Sequence, residues 1–246
     1  MREPPALIWW PPVPESNSSG TVPVMTIDGP SGSGKGTISR AAARALNWRL
    51  LDSGALYRLV ALAGRRAQVS LEDGRALAQL AEQFDIRFGS DESGGEIIWM
   101  GGQEVTGDIR TEEAGNDASK VAALPLVRAA LLDRQRRFAV PPGLVADGRD
   151  MGTVVFPAAE VKIFLTASLS ERAARRHKQL KEKGVTANLA ALSLEIAERD
   201  QRDINRAASP LVAGADAVLL DTTGMPVDAV VRRVLEVARG RLRGRL

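Results

Sequence analysis

Residues 29–37 read Gly-Pro-Ser-Gly-Ser-Gly-Lys-Gly-Thr, one residue after the apolar run Val22–Ile27. An apolar run, a glycine loop and then a helical pattern leave this part of the chain few ways to fold. Glycines let successive backbone N–H groups converge on anionic oxygens without Cβ clashes. A helix starting near Lys35 aims the partial positive charge of its N-terminus at the same spot. Lys35 adds a full charge for phosphate oxygens. The residues expected to hold a triphosphate are therefore Gly29, Pro30, Ser31, Gly32, Ser33, Gly34, Lys35, Gly36 and Thr37.

The spacing Gly29-x4-Gly34-Lys35 matches the P-loop in the expected strand–loop–helix context. Gly36 departs from the usual pattern, because most such loops carry the magnesium-ligating Ser or Thr directly after the lysine. Thr37 comes one place later. Magnesium, which dehydrates reluctantly, is then expected to be held largely by phosphate oxygens and water. The candidate metal residues are Thr37 and, through water, Asp147. The dinucleotide fingerprint GxGxxG does not fit, since a lysine occupies the loop and no acidic ribose partner is well placed.

Five β-branched or leucine-rich runs alternate with helical patterns: Val22–Ile27, Arg49–Leu51, Leu144–Ala146, Val161–Leu165 and Ala217–Leu220. That alternation predicts an α/β fold, a P-loop core with a five-stranded parallel sheet flanked by helices. Most runs end in a polar residue (Asp28, Asp52, Asp147, Thr166, Asp221), and ligands of open α/β sheets bind at those carboxyl ends. The glycine-rich segment 85–110 breaks the alternation. Its short pieces Ile86–Phe88, Glu96–Met100 and Gln103–Val105, with a tight turn at Met100-Gly-Gly-Gln103, predict a small antiparallel insert.

At 246 residues the chain suits one large domain or one with insertions. The first 21 residues hold five prolines and a Ser/Asn/Gly cluster and are read as a disordered extension, leaving 22–246 as the folded domain. A Trp-containing docking peptide is the alternative there. The absence of cysteine excludes a disulfide framework and fits a cytoplasmic location. No apolar run approaches the ~20 residues that span a membrane. The net charge of +3 is uneven, with Arg239, Arg241, Arg243 and Arg245 crowding one end. A solvated tail is the main reading of that end and nonspecific RNA contact the alternative. No pattern supports an obligate nucleic-acid partner.

Four further groups carry candidate chemistry. Asp52-Ser53-Gly-Ala-Leu-Tyr57-Arg58 follows the second run, where Ser53 can cap a helix that places Tyr57 and Arg58 one turn in. Asp147-Gly-Arg149-Asp150-Met-Gly152 follows the third, with Asp147 at the strand-end position suited to orient magnesium or its waters. Arg199, Asp203 and Arg206 lie at i, i+4 and i+7, expected on one helix face as donors and acceptor for phosphate and ribose. Arg172, Arg175 and Arg176 follow the capping box Ser168–Glu171 on a helix expected to stop near Gly184. Three cations on one short helix repel unless an anion unites them, which suggests a lid, residues 168–186, over a triphosphate. The competing readings are a capped surface helix, a β-turn, a surface ion-pair ladder and a solvated face, in that order. His177, the sole histidine, is read as a surface residue.

In sequence order, GPSGSGKGT, LLDSGALYR, the stretch around Ala118-Ser119-Lys120-Val121, VADGRDMGTVVFP and ERDQRDINR closely resemble the bacterial cytidylate kinases, from Val22 to about Arg239. DSGALYR and DGRDMGTVVFP are not shared by P-loop kinases at large. The insert at 85–110 is similar to the enlarged monophosphate-binding region of the bacterial members. The resemblance implies transfer of the ATP γ-phosphate to CMP or dCMP, with magnesium as cofactor. It implies a monophosphate-binding region, here 53–118, and a lid. Carried over by motif, Lys35, Arg149 and Arg199 are the catalytic candidates, and Arg172 and Arg176 join the loop in ATP binding. Ser53, Tyr57 and Arg58 face the monophosphate. Ser119, Arg128 and Asp150 are similar to cytosine-reading positions, and Asp203 and Arg206 to those near the ribose.

Two rivals remain at this level. One is a P-loop kinase for another small acceptor, such as uridylate, shikimate or dephospho-coenzyme A. The other is a P-loop ATPase or switch, though no guanine-reading Asn-Lys-x-Asp segment is present and Asp147 is followed by Gly148. A monomer is expected, with nucleotides as the only partners.

Overall fold

The structure, a computed structural model, describes residues 22–90, 96–182 and 184–242. The expected N-terminal extension, residues 1–21, lies outside them, as do Arg243 and Arg245. In chain order the elements are β1 (Val24–Asp28), α1 (Lys35–Leu46), β2 (Arg49–Asp52), α2 (Ser53–Arg66), α3 (Gly74–Glu82), β3 (Ile86–Ser90), β4 (Glu96–Met100) and β5 (Gln103–Glu104). There follow α4 (Glu112–Val121), α5 (Pro125–Arg136), β6 (Leu144–Gly148), β7 (Val161–Thr166), α6 (Leu169–Glu182), α7 (Leu189–Ile204), β8 (Val218–Asp221) and α8 (Val227–Arg241). Short helical turns occupy Asp108–Arg110 and Met151–Val155. No helix among the described residues is long and apolar enough to cross a membrane.

The chain divides into two compact units. One comprises Thr21–Ser53 with Phe138–Leu246. Its sheet is parallel throughout, in the order β2-β6-β1-β7-β8. All five sequence-predicted strands are present, with ends within two residues of expectation. β1 and β6 are buried along their whole length, as strands covered on both faces must be, which is why they read as unbroken apolar runs. Met25, Ile27, Val145, Ile163 and Leu165 form the core with Ile38 and Ala42 of α1 and Val230 and Val234 of α8. The i, i+4 spacing of each helical pair turns one face inward. Register sets Asp28 level with Gly148, and Asp52 level with Asp147, so three acids stand at the carboxyl edge of the sheet.

The other unit contains Gly54–Arg137. Its antiparallel sheet β3-β4-β5 is the expected insert. Gly101 and Gly102 both take positive φ, 57° and 76°, which is what a two-residue hairpin matched to strand twist requires. The unit continues past residue 118 because α5 packs on α3. Arg134 of α5 locks that pairing, donating to the carbonyls of Phe84 at 3.2 Å and Glu82 at 2.7 Å.

The strand order makes a direct stability prediction. Ile27→Ala, in the centre of the sheet, is expected to lower the unfolding free energy by roughly 2–5 kcal/mol. Leu219→Ala, on an edge strand and 66% exposed, is expected to cost less than about 0.5 kcal/mol. Denaturant titration measures both, and equal losses would contradict the order.

Candidate active site

The loop between β1 and α1 closes on itself. The Lys35 ammonium donates to the Pro30 carbonyl at 2.8 Å, and the Ser33 hydroxyl donates to the same oxygen at 3.0 Å. Gly34 begins α1 in the left-handed region (φ 93°), and the first turn of the helix carries no acid to offset its dipole. Lys35 is 6% exposed. Burial lowers its pKa to about 7, with Arg149 and Arg199 adding to the drop while Asp147 and Asp203 oppose it. Asp147, at the end of β6, moves the other way: burial raises its pKa, against the pull of Lys35, and Asp52 adds to the rise.

Beside this lysine the chain assembles a cluster of guanidinium groups. Arg149 follows β6 directly and its Nε donates to Asp203 Oδ2 at 3.0 Å. Asp203 sits on α7, 3% exposed. Burial alone would raise its pKa, but Arg149, Arg199 and Arg206 outweigh that and hold it below the usual carboxylate range. Cations from two separated stretches thus share one carboxylate, and two of them are felt at Lys35.

The helix face expected for Arg199, Asp203 and Arg206 is only partly formed. α7 stops at Ile204, because the Asp203 carbonyl accepts from the Leu211 N–H at 2.8 Å instead of a fourth-neighbour amide. Arg206 therefore lies beyond the helix, buried at 7% exposure, and still acts on Asp203.

The turn that follows Arg149 holds Asp150, 2% exposed. Two amides of this turn, those of Met151 and Gly152, donate to the carboxylate of Asp28 at the end of β1, each at 2.8 Å. Burial raises the pKa of Asp28 to about 7, against the lowering effect of those two bonds.

In the unit containing Gly54–Arg137, Tyr57 and Arg58 lie in the second turn of α2, which Ser53 opens. Arg58 donates to the Ile109 carbonyl at 3.0 Å. The Arg128 guanidinium of α5 lies 5.7 Å from the Tyr57 ring centroid and donates to the Ala122 carbonyl at 3.2 Å. Ser119 of α4 is 3% exposed. Tyr57, Ser119 and Arg128 of this unit are thus buried groups on three helices, whereas the alternative for the first stretch was a capped surface helix.

A model of the cytidylate kinase family matches residues 25–240. The cytidylate kinase of Klebsiella pneumoniae (strain 342) is 54% identical over 224 residues, which span 91% of this chain and 98% of that one. Those of Salmonella arizonae and Methylococcus capsulatus are each 56% identical, over 89% of this chain and 96% and 98% of theirs. The chain belongs to the cytidylate kinase family.

The arginines of α6, in the segment expected as a lid, find partners within the chain. Half of the capping box forms, with Ser168 Oγ accepting from the Glu171 N–H at 3.2 Å, while the Ser168 N–H donates to Thr223 Oγ1 at 3.0 Å and Glu171 turns to Arg175; the helix ends just before Gly184. Two of the three cations, Arg172 and Arg175, are paired with acids of the chain. Arg172 is buried, pairs with Asp200 at 2.5 Å and donates to the Ser31 carbonyl at 2.9 Å. Arg175 pairs with Glu171 at 2.9 Å and donates to the Thr222 carbonyl at 2.6 Å, and Arg176 donates to Gln179 at 3.2 Å. Arg172 thereby fastens the phosphate loop to α6 and α7.

A cleft of about 270 Å³ lies beside the loop, lined among others by Ser33, Thr37, Arg175, Thr222, Met225 and Val230. Thr37 faces this cleft, while Asp147 Oδ2 stands next to Gly36, 3.4 Å from where a Cβ would be. Among the described residues no three His, Cys, Asp or Glu side chains are grouped to hold a metal. The buried carboxylate of Asp147 beside the loop would suit a cation that keeps its waters and binds phosphate oxygens, as magnesium does.

Thr222, Met225, Asp28 and Asp200 were not among the sequence candidates. The Thr-Thr-Gly turn directly after the strand-end Asp221 is the signal that could have found Thr222, with Met225 next to it. Asp28 was visible only as a polar residue at a strand end, and nothing in the sequence pairs Asp200 with Arg172.

That pair is testable. Asp200→Ala leaves the Arg172 charge buried and is expected to cost about 3 kcal/mol, lowering Tm by on the order of 10 °C for a chain of this size. The double variant Arg172→Leu/Asp200→Leu is expected to recover much of the loss. A Tm within about 2 °C of the parent for Asp200→Ala would contradict the brace.

Proposed function

We propose that the chain transfers the γ-phosphate of ATP to CMP or dCMP, giving ADP and CDP or dCDP. The observation that carries this reading is the gathering of Arg149, Arg199 and Arg206 on Asp203, beside the loop lysine. Bringing two phosphorylated molecules together needs positive charge at that density, and planar guanidinium groups suit phosphate geometry.

The ATP phosphates lie along the backbone from Gly29 to Thr37, where the Lys35 ammonium exchanges the Pro30 carbonyl for phosphate oxygens. The base of ATP enters the cleft lined by Thr37, Arg175, Thr222 and Met225, with Arg176 acting through Gln179 of its lining and Arg172 through the loop it braces. Asp147 would hold magnesium through water, and the bound ion would supply positive charge to the triphosphate. Arg58 takes the phosphate of CMP, next to Ser53 and Tyr57. Ser119 and Arg128 donate to the acceptor atoms of cytosine, and Asp150 accepts from its N4 amino group. Uracil reverses that pattern and leaves the same buried groups unpaired.

An oxygen of the CMP phosphate attacks the γ-phosphorus in line, and the bond to the bridging oxygen of ADP breaks. That nucleophile is already ionised at neutral pH, so no general base is needed. The transition state is loose, and positioning with a fixed positive field does the catalytic work. Arg149 and Arg199 supply that field, already aimed by Asp203 before substrate arrives.

Initial rates of ADP formation with CMP, dCMP, UMP and AMP test the assignment. CMP and dCMP are expected to exceed the others by roughly 100-fold or more in kcat/KM. ATP consumption that is the same with and without CMP would overturn it.

The low pKa of Lys35 gives a second test. Phosphate oxygens favour the ammonium, so binding raises a pKa that stands near 7 in the free protein. At pH 8 the free lysine is mostly neutral, and ATP binding is expected to take up close to a full proton. At pH 5.5 the lysine is already charged and its uptake vanishes. Calorimetry in buffers of different ionisation enthalpy reads this, and no uptake at pH 8 would contradict it.

A further inference from the structure

We propose that Asp28 is a positioning residue for the acceptor nucleotide: its carboxylate seats the turn carrying Arg149 and Asp150 at the strand end from which the phosphate loop departs. The inference rests on reading Asp150 as the group that accepts from cytosine N4.

The seating is defined from two sides. Asp28, 5% exposed, offers one carboxylate oxygen to the Met151 N–H and the other to the Gly152 N–H, each at 2.8 Å. Across from it, Gly152 rests on the sheet so closely that a Cβ would stand 2.7 Å from Thr26 Oγ1 and 3.3 Å from the Lys162 side chain. The turn therefore can neither lift from β1 nor sink toward β7 without breaking a contact. Asp28 is also the residue immediately before Gly29, so one short stretch of chain fixes both the donor loop and the acceptor-reading turn.

The chemistry requires a carboxylate at this place. Two amide donors aimed at one side chain need two acceptor oxygens. An asparagine of the same size offers one oxygen and sets its amide nitrogen against the second N–H. As a stability element alone, a buried carboxylate is a poor choice, because burial disfavours its charged form. Its distinctive output is the location of Arg149 and Asp150 relative to Lys35, and displacing a substrate-positioning group by about 1 Å can cost 100-fold in rate.

The test is steady-state kinetics on the full chain with Asp28→Asn, Gly152→Ala and Asp150→Ala, together with thermal melting. Asp28→Asn is expected to raise KM for CMP about tenfold or more, keep KM for ATP within about twofold, and reduce discrimination between CMP and UMP. Gly152→Ala shifts the same turn from its other side and is expected to give the same split, which decides the matter if Asp28→Asn fails to fold. A purely structural role would lower Tm and the active fraction while leaving both KM values in place. If Asp150→Ala raises KM for CMP but neither turn variant does, or if they raise KM for ATP equally, the inference about Asp28 is wrong and the reading of Asp150 stands. If Asp150→Ala leaves KM for CMP unchanged, both fall.

Discussion

Like charges a few ångströms apart in a partly buried site repel by about 4 kcal/mol per pair at 4 Å. A chain that places Arg149, Arg199 and Arg206 beside a buried lysine must offset that repulsion before any substrate arrives. Asp203 does so. Its carboxylate takes a hydrogen bond from Arg149 and is held ionised by all three arginines. Asp147 acts in the same way on Lys35. The positive field in the proposed reaction is thus built around acids, and its direction is set in the free protein.

The same logic runs through α6. Arg172 and Arg175 find Asp200, Glu171 and backbone carbonyls of the chain. Two carbonyl oxygens of the phosphate loop, those of Ser31 and Ser33, accept from Arg172 and Arg175 of α6. Gly36 lies beside the carboxylate of Asp147, which a Cβ there would meet at 3.4 Å, an ordinary contact distance.

Much of the fold was legible because its determinants are local. Buried parallel strands must be continuous apolar runs, as β1 and β6 are, and the five apolar-rich runs between helical patterns marked the sheet. Met100-Gly-Gly-Gln103 announced its hairpin through residues that tolerate positive φ, and Ser168–Glu171 announced the start of α6. The proposed site residues were found through strand ends and motifs, which are also local. Long-range pairings were not legible. No pattern links Arg172 to Asp200, 28 positions away, or Asp28 to the amides of Met151 and Gly152, more than 120 positions away. The i+7 spacing placed Arg206 on a helix that ends earlier, where the Asp203 carbonyl accepts from the Leu211 amide of the following loop. In each case the deciding partner lies outside the element whose periodicity is read.

The most direct measurement is turnover by Asp203→Asn with saturating ATP and either CMP or dCMP. If Asp203 gathers the arginines, kcat is expected to fall by roughly 100-fold, to the same degree for both acceptors, with the far-UV circular dichroism of the parent retained. Turnover within about threefold of the parent, or a loss confined to the ribonucleotide, would show that this carboxylate does not organise the phosphate-binding field.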